Sequence, residues 1–584
     1  MQSSNHNFLD PSTYNVAATG VQARHTDGTE SKSEDLNSLS GSELGGREPQ
    51  VGAGHPKDEA HRTLSSRHIQ LIGIGGTIGT AIFVQVGTSL THGGPASLLL
   101  AFTLYSTVVL ALNNCLAEMV TYMPISSPYV RYADHFIDPA LGFVAALNFF
   151  ITMCIEIPFE ITALNATLHF WTEKIPIEAV IFAVLIAYLC LNMFAVKFYG
   201  EAEFWLALGK VILAISMLFF TFIVMVGGNP QHDAFGFRNW NPNHVPGAPF
   251  AEYIKTGSTG RFLGFLSCLI QASFTVGGPE FTSLTAGEAA YPRTVLPRTF
   301  KHTYLRLVVF FLGGTLCIGI LLPYNDPDLL AATLNPRPGA GSSPYVIAMN
   351  HLQIPVLPHI FNILLIFSIF SAGNNFMYSA SRVLYGMALE GQLGTRGSKL
   401  FGRCTKSGVP VWCVGAAGVF GLLAFLGVGR ASGIVLQWFV DLLTVSYTFN
   451  YCCIALSYLR FYYALRSQKT SRSSLPYTGP WQPFCGYYGL CLCSIMLVLQ
   501  AYSVFMTGSG DLPTVIFVYA LIVGLPIVFV AWKILKGSKR RKLQDINFFA
   551  EERTKVDEYE RRAPPLRKAR RNWGWRVLDG MIGA

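Results

Sequence analysis

From Ile69 onward the chain repeats one pattern: apolar stretches, each near the ~20 residues that cross a hydrocarbon layer, separated by short polar links. That recurrence leaves few places for such a chain to fold except in lipid. The composition agrees, with 51% of the 584 residues hydrophobic and only 13% charged, against about a quarter charged in a soluble protein. The pattern predicts an all-α membrane protein with about twelve transmembrane helices. They fall near 69–90, 98–121, 141–170, 179–196, 203–227, 262–288, 304–323, 355–390, 410–428, 434–459, 486–507 and 513–535.

The polar ends frame this region. Residues 1–66 are rich in Ser, Asn, Gly, Glu and His without apolar periodicity, and read as a disordered N-terminal tail. Residues 67–536 hold the spans. Residues 537–584 form a basic C-terminal tail, with clusters at Lys539–Lys542, Arg561-Arg562 and Arg567–Arg571. No charged-then-apolar leader precedes the first span, which is therefore expected to act as an uncleaved signal. The links carrying Arg293, Arg298, Lys301 and Arg306, then Arg396, Lys399, Arg403 and Lys406, then Arg460, Arg466, Lys469 and Arg472 share one side. Lys/Arg excess marks the cytoplasm, so an even number of spans places both tails there, beside anionic lipid. Lys32 and Lys57 are candidate acceptors for ubiquitination and for trafficking machinery acting on the tails.

Several classes of function lack support. A basic tail without a folded module beside it argues against a nucleic-acid partner. The twelve cysteines include no C-x-x-C pair, and several fall inside apolar spans, so neither a disulfide framework nor a metal site is expected. No nucleophile–base constellation or phosphate-cradling loop appears, which argues against an enzyme and against a bound cofactor.

The informative positions are those where a helix cannot continue. The first span contains Gly73, Gly75, Gly76 and Gly79 within seven residues. Small residues also serve close helix packing, but at about 100° per residue these four cover more of the circumference than one seam uses. Each weakens the helix, and together they predict local unwinding. The sixth span repeats the device at Gly277-Gly278-Pro279-Glu280, where proline removes a donor. Unwound backbone at membrane depth must face protein or a hydrated cavity. Interruptions at matching places in two halves mark the substrate site of an inverted-repeat transporter, offering helix N-termini to an anion and free carbonyls to a cation. An amino acid carries both charges on one carbon.

Ionisable groups inside the spans are candidates by default. Glu156 and Glu160 lie four apart around Pro158 on one face of the third span, and Glu280 follows the sixth-span break. Glu118 ends the second span and could equally be interfacial, and Glu288 has basic residues close by. Lys210 lies deep in the fifth span, near the limit of what snorkelling can reach. A buried lysine can exchange a proton, or stand as a fixed cation where sodium would otherwise bind.

These residues resemble the fungal amino-acid permeases of the amino acid–polyamine–organocation superfamily across nearly all of residues 66–540. The likeness rests on ordered blocks: Gly75–Thr80 with Phe83, Ala117-Glu118-Met119 before Pro124, Gly200–Trp205, and Gly278–Glu280 leading to Ala286–Ala289 and Pro292-Arg293. It continues through Pro323–Pro327, Ser371–Asn374 with Ser381-Arg382, and Gly408–Pro410.

The resemblance implies a five-plus-five inverted repeat with broken helices 1 and 6, plus two additional helices. It also implies proton-coupled uptake of amino acids at the plasma membrane. Carried over, amides around Thr80 and Ala81, within the Thr77, Ile78, Gly79, Thr80 and Ala81 stretch, would hold the substrate carboxylate. Carbonyls near Thr77, Phe274 and Gly277, beside Gly278 and Glu280, would hold the ammonium. Phe274 would be the aromatic gate, Lys210 the coupling lysine and Glu160 the acid of the third span. Three departures stand out: Ala81 where the family usually has glycine, Tyr451 where many members have tryptophan, and Glu156 at a position usually apolar. A non-transporting amino-acid sensor of the same fold is the alternative.

Overall fold

The computed structural model describes residues 69–562 apart from 71–72, 75, 77–78, 126–127, 173, 195, 335–342, 406–407, 429–431, 501 and 508–511. Every regular element among the described residues is helical. The expected N-terminal tail, Thr77 and Ile78 of the first break, and the cluster at Arg567–Arg571 lie outside the described residues.

A π turn at Ala81–Gln85 leads into α1 (Val86–Tyr122), which is folded at Gly94, where φ is 74°. A Cβ there would lie 2.7 Å from the Pro249 carbonyl oxygen and 2.8 Å from the Ala251 nitrogen. Only glycine accepts both that φ and that approach. The corner is closed by Ala96 N–H donating to Pro249 O at 3.1 Å and Ala251 N–H donating to Gly93 O at 3.0 Å. The 42-residue helical stretch Ala81–Tyr122 thus carries the end of the first expected span and all of the second.

Next come α2 (Pro128–Phe136), α3 (Pro139–Leu168), α4 (Ile177–Phe194), α5 (Val196–Met225), α6 (Gly257–Thr275) and α7 (Pro279–Leu284). Helix α3 starts where the sequence provides a cap: Asp138 accepts the Ala140 N–H at 2.8 Å and Pro139 occupies the first helical position. The pair α8 (Pro292–Arg306) and α9 (Gly313–Leu321) is joined through a π turn, and α10 (Pro327–Leu334) and α11 (Pro344–His351) lie in the following link. The remainder are α12 (Leu357–Leu389), α13 (Gly394–Phe401), α14 (Val411–Gly421), α15 (Ser432–Ser467), α16 (Phe484–Leu499), α17 (Tyr502–Thr507), α18 (Leu512–Lys536) and α19 (Ala550–Arg562).

Among the described residues, eight helical stretches are long and apolar enough to cross a membrane, and three shorter apolar helices accompany them. Helix α3 packs chiefly on α12 and α15, and α1 chiefly on α6. These buried helices hold the centre. Helix α18 lies at the rim, exposing Ile527, Ile534 and Leu535, and α5 exposes Phe219 and Phe222. Large apolar side chains turned outward in this way suit contact with acyl chains.

Two polar links are firmly built. In 228–261, Asp233 takes both guanidinium arms of Arg238, and the Tyr324 hydroxyl from the next link donates to Pro246 O at 2.6 Å. Past the last span, part of the expected basic tail also packs. Phe548 and Phe549 are buried with φ of 49° and 51°, a conformation that non-glycine residues hold only when packing fixes it. Phe548 meets Phe461 at 5.8 Å, Phe549 meets His135 at 4.1 Å, and Arg553 sits 4.0 Å over the Tyr122 ring. Gln468 donates to Leu543 O and Ile546 O, while Arg293 pairs with Asp557 and gives its N–H to Glu560.

Candidate functional site

The two helix interruptions meet at one cavity of about 40 Å³. Helix α6 makes its last regular bond from Val276 N–H to Ala272 O at 2.8 Å, after which the backbone leaves the helix. Gly278 has φ 136°, outside the reach of an L side chain, and Pro279 restarts the helix as α7. The stretch Ser273–Gly277 lines the cavity, so the carbonyl end of α6, the negative end of its dipole, faces inward. Opposite it stand Gly76, Gly79, Thr80 and Ala81 of the first break.

The glycines are set by close approach. A Cβ on Gly79 would lie 2.9 Å from Glu160 Oε1, one on Gly76 would lie 2.8 Å from the Phe281 ring, and one on Gly277 would lie 2.9 Å from Glu280 Oε1. Each break therefore has a carboxylate pressed against it. The Thr80 hydroxyl donates to Glu160 Oε2 at 2.6 Å. Glu280 accepts from Gly278 N–H and from the Tyr451 hydroxyl, both at 3.1 Å. It thereby occupies the N-terminus of its own short helix.

Further walls come from residues that the sequence patterns do not single out. Phe159 packs edge-on against Phe274 at 5.5 Å, and Ala372, Phe376 and Tyr447 complete the lining. Glu156 lines the same cavity and accepts from the Tyr447 hydroxyl at 2.8 Å. Lys210 lies outside the lining, buried at 1% exposure in α5, and its charge acts on Glu160. The structure thus gathers Gly79, Thr80, Ala81, Phe274, Gly277, Glu280 and Glu160 around one space, with Lys210 behind Glu160. Gly278 adjoins that space through its N–H bond to Glu280.

Other candidates lie elsewhere. Glu118 is fully buried and accepts from Arg472 and Gly479 at the far end of α1, and it does not line this cavity. Outside the spans, Asp326, Asp328 and His351 bring three ligand atoms within 4.8 Å of one another. Asp326 there caps α10 through Asp328 N–H and Leu329 N–H, and His351 Nε2 pairs with Asp328 at 2.8 Å. That local cluster is accounted for by a helix cap and a histidine–carboxylate hydrogen bond.

Known proteins resemble this sequence. The chain matches the amino acid permease family over residues 68–547. It is 43% identical over 509 residues to the general amino acid permease AGP2 of Saccharomyces cerevisiae, covering 86% of this chain and 84% of that one. It is 36% identical to a proline-specific permease of Emericella nidulans, over 91% of this chain and 97% of the relative. A solved structure of the nucleobase-cation-symport-1 transporter Mhp1, closed with bromovinylhydantoin bound, aligns with a TM-score of 0.46 at 15% identity, over 86% of this chain and 98% of that one. On the family match and on the permease relatives, which extend over most of both chains, this protein is a member of the amino acid permease family.

Proposed function

We propose that the chain is a proton-coupled symporter that carries L-amino acids into the cell across the plasma membrane by alternating access. In this reading it has twelve spans, a five-plus-five inverted repeat with two further helices, and both tails in the cytoplasm. The relatives are named as amino-acid permeases of differing breadth, one general and one proline-specific, which supports the substrate class and leaves the side chain open.

One observation carries the proposal: the two interrupted helices enclose a single cavity, and Thr80 at its rim is bonded to Glu160, which lies in the field of buried Lys210. The substrate carboxylate sits at the amides of Thr80 and Ala81, and the ammonium at the carbonyls around Phe274 and Gly277, under the Phe274 ring. A carboxylate arriving at Thr80 competes with Glu160 for the same donor. Substrate binding is thereby linked to whether Glu160 carries a proton. Lys210, a fixed positive charge beside it, supports proton rather than sodium coupling.

The test is accumulation of labelled amino acids by the purified protein in liposomes under an imposed inward proton gradient. Accumulation that collapses with a protonophore is expected. Binding across the panel without accumulation would instead identify a sensor of the same fold.

A further inference from the structure

We infer that the cavity is built for an amino acid whose side chain carries a second positive charge, and that Glu156 receives that charge. The inference rests on reading the cavity as the amino-acid site, and names the class of substrate it selects.

The charge inventory of the cavity is one-sided. Among the described residues, its lining includes Glu156, Glu160 and Glu280 and no Lys, Arg or His. Two of the three carboxylates are already engaged by the fold. Glu160 holds the Thr80 hydroxyl and feels Lys210. Glu280 caps α7 through Gly278 N–H and takes the Tyr451 hydroxyl. The α-ammonium of a substrate has its own receptor in the carbonyl end of α6.

Glu156 is what remains. It is 4% exposed, and its Oε1 accepts from the Tyr447 hydroxyl at 2.8 Å. Its other oxygen accepts no hydrogen bond from a described residue, and no described cationic side chain pairs with it. The charge of Glu160, one turn away on α3, acts against it. A buried carboxylate held by a single neutral donor is costly to ionise, and a cation from the ligand is the partner that would favour its charged form. The geometry is that of a receptor. Tyr447 and Tyr451 are neighbours one turn apart on α15, so two parallel tyrosine–glutamate pairs, Tyr447–Glu156 and Tyr451–Glu280, look into one space. Tyr447 fixes one carboxylate oxygen and leaves the other for the incoming group.

The experiment uses the full-length protein in two ways. In detergent, thermal stabilisation by lysine, arginine, norleucine and glutamate is compared. In liposomes under an imposed inward proton gradient, the same compounds compete against uptake of a labelled amino acid. Lysine and arginine are expected to outcompete norleucine, a near-isostere without the charge, by roughly tenfold or more. Glu156→Gln should shrink that lysine-to-norleucine ratio toward one, and Tyr447→Phe should shrink it partway. Equal stabilisation by norleucine and lysine in the unaltered protein overturns the inference without needing any variant to fold. So does a ratio untouched by Glu156→Gln. Lysine-selective stabilisation without accumulation of any amino acid would keep the cation receptor and remove the transport reading.

Discussion

Arg472 and Glu118 stand 354 residues apart, and the guanidinium closes on both carboxylate oxygens at 3.0 and 2.8 Å. Gly479 N–H adds a third donor at 2.9 Å. Glu118 is completely buried, whereas Arg472 keeps about a third of its side chain exposed. The bridge ties the loop after α15 to the end of α1. Removing only the cation strands a buried charge, so Arg472→Ala should cost about 3 kcal/mol, the lower end for a broken buried pair. Pairing it with Glu118→Gln should recover part of that loss. Thermal unfolding of the three proteins in detergent checks the ordering; equal losses in the single and double variants would show that the charge is not what matters.

Gly277→Ala should abolish uptake, because its Cβ would sit 2.9 Å from Glu280 Oε1 and 3.3 Å from the Tyr451 hydroxyl. The carboxylate cannot move aside without giving up its bonds to Gly278 N–H and Tyr451. Gly415→Ala in α14 has nothing within 4 Å of the new atom. It should leave transport intact and stabilise the helix by up to about 1 kcal/mol. Initial uptake rates normalised to surface expression separate the two.

Lys210→Ala should remove proton-driven accumulation more severely than it weakens substrate binding, since Lys210 acts on Glu160 from behind and does not line the cavity. Binding can be read by ligand-induced thermal shift and accumulation by liposome uptake. Wild-type accumulation in the variant would refute the coupling role.

Asp138, outside the spans, should make stability fall at acid pH. Burial raises its proton affinity, but the Lys533 ammonium at 2.7 Å, the Ala140 N–H and the Ser538 hydroxyl outweigh burial and hold the carboxyl below its usual value. A depressed folded value contributes stability that is present above the unfolded value, about 3.9, and is lost as pH falls through the folded one. Asp138→Asn keeps a capping side chain but loses the ion pair. Its stability deficit should therefore be constant near neutrality and close below pH ~4. Melting temperatures across that range, as the difference between the two proteins, give the answer.

Much of the architecture was legible because hydropathy and helix breakers act locally. The expected spans 141–170 and 355–390 correspond to α3 (Pro139–Leu168) and α12 (Leu357–Leu389). Gly278-Pro279 breaks the helix where the sequence predicts it. The walls of the cavity were not legible. Spans that are apolar all round carry no periodic contrast to say which face turns inward, so Phe159, Phe376 and Tyr447 look like any other apolar or aromatic residue until α3, α12 and α15 are packed. Tyr451 and Glu156 could be singled out as unusual, but not as members of two hydroxyl–carboxylate pairs. Glu118 met the same limit, because its partner lies on a distant loop. The short helices α2 and α19 lack span-length hydropathy, and their order comes from contacts with one another's surroundings.

The packing of Phe548 and Phe549 moves the true edge of the folded body. Among the described residues, that body extends past the last hydrophobic span to the helix ending at Arg562. A chain cut after Lys542 would lose no transmembrane residue, yet it would uncover the rings of Tyr122, Tyr132, Phe136 and Phe461 that those two phenylalanines cover. Such a truncation is a core deletion in all but position, and its signature would be a sticky, aggregation-prone protein rather than a shortened one.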